Sequence, residues 1–100
     1  MMRISGQSEE VHAAVQVLGN TLRVAILGHL ALGPATRASI SSALGVSEQS
    51  LSRQIAFLED KGVVSTDVVG GGGRPTLHRL QSGKLHELEH ALASYLHPPA

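Results

Sequence analysis

Two short stretches of this chain place reactive or bonding side chains at spacings that chemistry can use. In SEQSLSRQ, residues 47 to 54, Gln49, Ser50, Ser52 and Arg53 lie close together. A helix turning about 100° per residue puts Gln49 and Arg53 one turn apart on one face, with Ala56 and Asp60 further along and Ser52 beside them. Such a helix fits the major groove of B-DNA, where Arg can bond a guanine edge, Gln an adenine edge, and serine a base or a phosphate. Gln54 lies nearer the opposite, apolar side. Glu59 and Asp60 at the far end would be repelled by phosphate and are expected to point away. The plainer reading of the same face is the solvated side of an amphipathic helix.

The second stretch, His86-Glu87-Leu88-Glu89-His90, satisfies the H-E-x-x-H pattern in which two histidines one turn apart hold zinc and a glutamate acts as base. Only ten residues follow His90 in a chain of 100. That leaves no third-ligand extension and no substrate cleft, so no catalytic residue and no enzyme are expected. His86, His90 and His97 do fall in one sector of an ideal helix, flanked by Glu87 and Glu89, and are the candidates for a zinc-type effector site. Against this, His97 lies two turns beyond His90 and beside Pro98, and a solvated polar face explains all three. No cofactor is expected.

These stretches need elements to position them. Ser8 caps a first helix with Glu9 and Glu10 in its first turn, and Val11, Ala14, Val15 and Leu18 recur at helical spacing up to Gly19. Asn20 caps a second, with an apolar stripe of Leu22, Ala25, Ile26 and Leu30, ended by Gly33-Pro34. Thr36 caps a third, Ile40 and Leu44 face inward, and Gly45 closes it. Ser47 caps a fourth, whose core face is Leu51, Ile55 and Leu58, and which runs to Lys61 with Gly62 as its stop. VVSTDVV and TLHRL then read as two strands of a hairpin around Gly70 to Gly73, Arg74 and Pro75. His78 and Arg79 alternate on the returning strand, so one of them can face phosphate. A last helix spans roughly 83–96.

Composition bounds the function. Phe57 and Tyr95 are the two aromatic residues, too few for a platform that stacks single-stranded bases. Cysteine is absent, which excludes disulfides and thiolate metal sites. The N-terminal apolar run is too short for a signal peptide, and a cytoplasmic protein with no membrane span is expected. Formal net charge is zero, which argues against coating nucleic acid by bulk electrostatics while leaving a local patch open.

The run from Thr36 to Lys61 is thus two helices joined by a short turn, the pattern of a DNA-reading helix-turn-helix. LGNTLRVAILGHL at 18–30, with Gly45-Val46-Ser47 and Leu58-Glu59-Asp60-Lys61-Gly62-Val63-Val64, resembles the winged helix-turn-helix of ArsR-type repressors and, more loosely, MarR-type regulators. The resemblance covers about residues 10–80, and Ser41 stands where a small Ala is common. It implies a mainly α fold of about five helices with a β-hairpin wing, acting as a sequence-specific, double-stranded DNA-binding transcriptional regulator, a repressor. Gln49, Ser50, Ser52 and Arg53 carry over as recognition-helix contacts, with Thr36, Arg37 and Ser47 at helix starts near phosphate. GGGGRPTLHRL resembles the wing, with Arg74 reaching phosphate or the minor groove.

Leu85, Leu88, Leu92, Tyr95 and Leu96 form a stripe that looks too large for a small domain to cover, so a homodimer through the last and first helices is expected. Its two reading helices would meet half-sites about one duplex turn apart on a pseudo-palindromic operator. The chain is expected to be one domain over 8–97 (helix-turn-helix 36–61, wing 63–80, dimer helix 83–97), with flexible ends at 1–7 and 98–100. The reading from another class is a winged-helix protein-interaction module that does not bind DNA, and a weaker one is a metal-responsive repressor using the C-terminal histidines.

Overall fold

Four of the five helices begin where a short polar side chain takes an orphan amide. In the computed structural model, which describes residues 4–68 and 76–99, the order is α1 (Glu9–Leu18), α2 (Thr21–Leu30), α3 (Arg37–Leu44), α4 (Glu48–Asp60), β1 (Val64–Val68), β2 (Thr76–Leu80) and α5 (Ser82–Leu96). Ser8, Asn20, Thr36 and Ser47 accept from the amides of Val11, Arg23, Ser39 and Ser50 at 3.0–3.1 Å. Each such cap is worth about 1 kcal/mol. Helix α5 lacks one, because the side chain of Gln81 at its start instead donates to Ser65 Oγ at 2.6 Å across the hairpin.

Two glycines make the sharp turns. Gly45, with φ +69°, ends α3, and Gly62, with φ +79°, turns the chain from α4 into β1; both values lie in the left-handed region that glycine enters without strain. Between α3 and α4 the Ser41 carbonyl accepts from Gly45 N at 2.9 Å, and the Ser41 hydroxyl donates to the Val46 carbonyl. An alanine there would leave the turn without that bond.

The caps hold helices whose apolar faces meet in one core. Val17, Ile26, Ile40, Leu51, Leu58, Val63 and Leu88 are fully buried within it. Helices α1 and α2 meet at 86°, so α1 packs along α5 while α2 packs on α4. Among the described residues no single helix is long and apolar enough to cross a membrane.

Strands β1 and β2 pair antiparallel with Val64 opposite Leu80 and Thr66 opposite His78, and Gln81 N donates to the Val63 carbonyl at 2.8 Å to close the base. A two-stranded hairpin is marginal alone. Here Ala35, just before α3, exchanges both backbone hydrogen bonds with His78 at 2.9 and 3.1 Å, tying the hairpin to the helices.

Helix α5 packs along α1, and this corrects one premise drawn from the sequence. Leu88 is completely buried, and Leu85 and Leu92 pack on the core within the single chain. What the chain leaves uncovered is the end of the stripe, Tyr95 at 43% and Leu96 at 61% exposure, with Gln7 Nε2, just ahead of α1, donating to the Tyr95 hydroxyl at 3.3 Å.

Candidate nucleic-acid interface

Helix α4 turns Leu51, Ile55 and Leu58 into the core and leaves Gln49, Arg53, Ala56 and Asp60 exposed. Neither Gln49 nor Arg53 has a side-chain partner among the described residues. Their hydrogen-bonding capacity is therefore directed at solvent from a helix whose inner face is fixed.

Thr36, Arg37, Ser47 and Ser52 already have partners within the chain. Thr36 and Ser47 accept the cap bonds of α3 and α4 at their hydroxyl oxygens, so these helix starts offer an anion their hydroxyl hydrogens and the remaining first-turn amides. Ser50 is half-buried. Ser52 Oγ accepts from Arg37 Nη1 at 2.7 Å, and Arg37 Nε lies 3.3 Å from Glu48 Oε1. The Arg37 and Glu48 side chains are 48% and 52% exposed, and ion pairs this wet contribute about 0–1 kcal/mol. Arg37 is parked rather than locked.

On the hairpin, His78 is buried and Arg79 exposed, so of the two only Arg79 presents its charge to solvent. Arg79 Nε rests 3.3 Å from Asp67 Oδ2 in another exposed pair. His78 Nδ1 lies 2.9 Å from Thr66 Oγ1, which lies 2.6 Å from Glu59 Oε2. Thr66 has one hydroxyl hydrogen and gives it to the carboxylate, so its oxygen accepts from His78 Nδ1–H. Burial pushes the His78 pKa below its ordinary value, opposed by Glu59 and assisted by Arg37. Glu59 is thereby turned toward β1 by a bond to Thr66 that the sequence reading did not anticipate.

Arg37, Ser52, Ile55, Glu59 and His78 line an open cleft of about 80 Å³. Sites for drug-sized ligands occupy roughly 300–1,000 Å³, so the cleft suits water or a small group. Arg74 and the glycines at 70–73 lie outside the described residues.

The histidines proposed as metal ligands are not brought together. His86 Nδ1 pairs with Glu89 at 3.5 Å, His90 Nε2 contacts Ser94 at 3.4 Å, and His97 ends the helix with φ −130°, off its axis. Among the described residues no three His, Cys, Asp or Glu side chains are grouped to hold a metal ion. The i, i+4 spacing aligned two rings along one exposed face, and among the described residues no third donor joins them.

The sequence reading also passed over Arg23. It bonds Gln54 of α4 at 2.9 Å, and the signal for it was the placement of Gln54 toward the apolar side, where a half-buried amide gains from a partner.

Residues 20–66 match the arsR family of bacterial regulatory proteins. Among solved structures the chain is similar to an ArsR family transcriptional regulator, with 27% identity, a TM-score of 0.70, and coverage of 96% of this chain and 93% of that one. It is similar to a transcriptional regulator homologue from Pyrococcus horikoshii OT3, with 25% identity, a TM-score of 0.67, and coverage of 89% and 92%. The fold is also that of the transcriptional repressor BigR from Xylella fastidiosa, at 22% identity, a TM-score of 0.66, and coverage of 91% and 88%. No curated protein sequence matches the chain.

Proposed function

We propose that this chain, an ArsR-like winged helix-turn-helix with the fold of DNA-binding regulators, represses transcription by binding a specific double-stranded site as a homodimer in the cytoplasm. The observation that carries this reading is the unpartnered pair Gln49 and Arg53 on the outer face of α4, one turn apart on a helix anchored in the core. Bidentate capacity held rigidly is what base reading in the major groove requires. Phosphates would be held by the first-turn amides of α3 and α4, by Arg37 and Arg79 once they leave their acidic neighbours, and by Arg74 on the wing.

Dimerisation through α1 and α5 would cover Tyr95 and Leu96 and give two reading helices for a pseudo-palindromic site. The rival reading, a protein-interaction module, draws support from the zero net charge and from the two arginines paired with acids. A titration on duplex DNA at increasing salt separates the two. A linear fall of log affinity with log salt, its slope about 0.9 per phosphate contacted, supports DNA binding. Absence of binding at low salt supports the rival.

A further inference from the structure

Arg23 enters the first turn of α2 and reaches two other helices at once. Its Nη1 donates to the Gln16 carbonyl oxygen at 2.7 Å, and its Nε donates to Gln54 Oε1 at 2.9 Å. Gln16 lies in the last turn of α1, where carbonyls have no partner within their own helix and a cation is favoured. The guanidinium carbon sits 3.9 Å from the centroid of the Phe57 ring, one turn beyond Gln54 on α4. Lys61 Nζ lies 5.3 Å from the same ring.

Helix α1 packs on α5 and α2, while α4 packs on α2, α3 and β1. The guanidinium is therefore a direct polar link between α1 and the recognition helix. A planar fork can hold a carbonyl, an amide oxygen and an aromatic face in one geometry; a lysine ammonium on a flexible stem cannot. Both bonds are partly buried, unlike the wet pairs of Arg37 and Arg79, so their geometry is held rather than sampled.

We propose that Arg23 is the positioning residue that fixes the angle of α4 to α1 and thereby, in the dimer, the separation of the two reading helices. The proposal rests on the DNA-binding reading above. A small rotation of α4 about the Arg23 contact swings its N-terminal end, displacing Gln49, about 7.5 Å along the axis from Gln54, more than Arg53 next to the contact, and a two-fold dimer repeats the displacement in both reading helices.

The test uses the full chain and a duplex recovered by the wild-type protein from a random pool, with base pairs inserted or removed one at a time between the half-sites. The wild type should show a sharp optimum of spacing. Arg23→Lys should bind the optimal duplex several-fold more weakly and lose much less on the off-optimum duplexes, flattening the profile, while Gln54→Ala should flatten it in the same sense. A uniform loss at every spacing, matching the loss of folded protein, would overturn the proposal. A second measurement stands apart from DNA: amide chemical shifts of free Arg23→Lys and Gln54→Ala should move along α4 from Gln49 to Phe57 and stay fixed along α5. If the wild type binds no duplex while these shifts move, the DNA-binding reading fails and the positioning role survives. If they stay fixed, the positioning role fails.

Discussion

The two sides of α4 are built on opposite terms. On the outer side Gln49 and Arg53 are exposed and unbonded. On the inner side Leu51, Ile55 and Leu58 are buried, and Gln54 and Phe57 are gripped by Arg23. A helix that reads a surface needs its donors and acceptors unsatisfied on one side, and it can bear that because the other side has nothing left to satisfy. The difference also explains how a chain with no net charge can be read as a DNA binder: local placement of a few free groups replaces bulk attraction.

The strongest way to break this contrast is to cut the inner side. Leu51→Ala should lower unfolding free energy by about 2.7–5 kcal/mol, as for buried leucines elsewhere, read by urea denaturation. Arg53→Ala, on the outer side, should cost about 1–3 kcal/mol of binding to the selected duplex and relax preference at one base position, with the denaturation midpoint unchanged. Equal effects of the two on stability would erase the distinction.

His78 gives a smaller, pH-dependent test of how firmly the wing is held. Its folded pKa lies below 6.5, so between that lower value and the unfolded value the unfolded chain binds more protons and stability rises with pH. The contribution is complete above about pH 6.5 and is lost as pH falls through the folded pKa. Denaturation midpoints should therefore drop between neutral and mildly acidic pH, and His78→Gln should remove part of that slope.

The smallest effect is expected at the parked arginine. Glu48→Gln removes an exposed ion pair worth about 0–1 kcal/mol and a favourable acid at the start of α4, so stability should fall by a few tenths of a kcal/mol. Binding to duplex DNA should tighten, since Arg37 is released and a like charge is lost. Unchanged or weaker binding would place Arg37 away from the interface.

Caps and core were legible because they are local. Ser8, Asn20, Thr36 and Ser47 each bond an amide three residues on, and helical spacing alone groups Leu51, Ile55 and Leu58. What escaped was set by partners distant in sequence. The alternation of His78 and Arg79 was readable, but its phase depends on the backbone bridge to Ala35. Arg37 meets Ser52 only because the turn at Gly45 folds α3 back beside α4, and the link through Arg23 depends on the 86° between α1 and α2. The leucines of α5 looked uncovered because helical spacing cannot say that α1 lies along them.

The Ser41 hydroxyl that closes the turn to Val46 has a kinetic consequence. With that bond in place the crossing of α3 and α4 is settled before any partner arrives, so docking loses little conformational freedom in the turn. Association should then be governed by encounter and orientation, with rate constants sensitive to ionic strength, and single-phase stopped-flow traces whose rate grows linearly with duplex concentration. A Ser41→Ala chain, free to flex at the turn, should instead approach a plateau rate set by its own rearrangement.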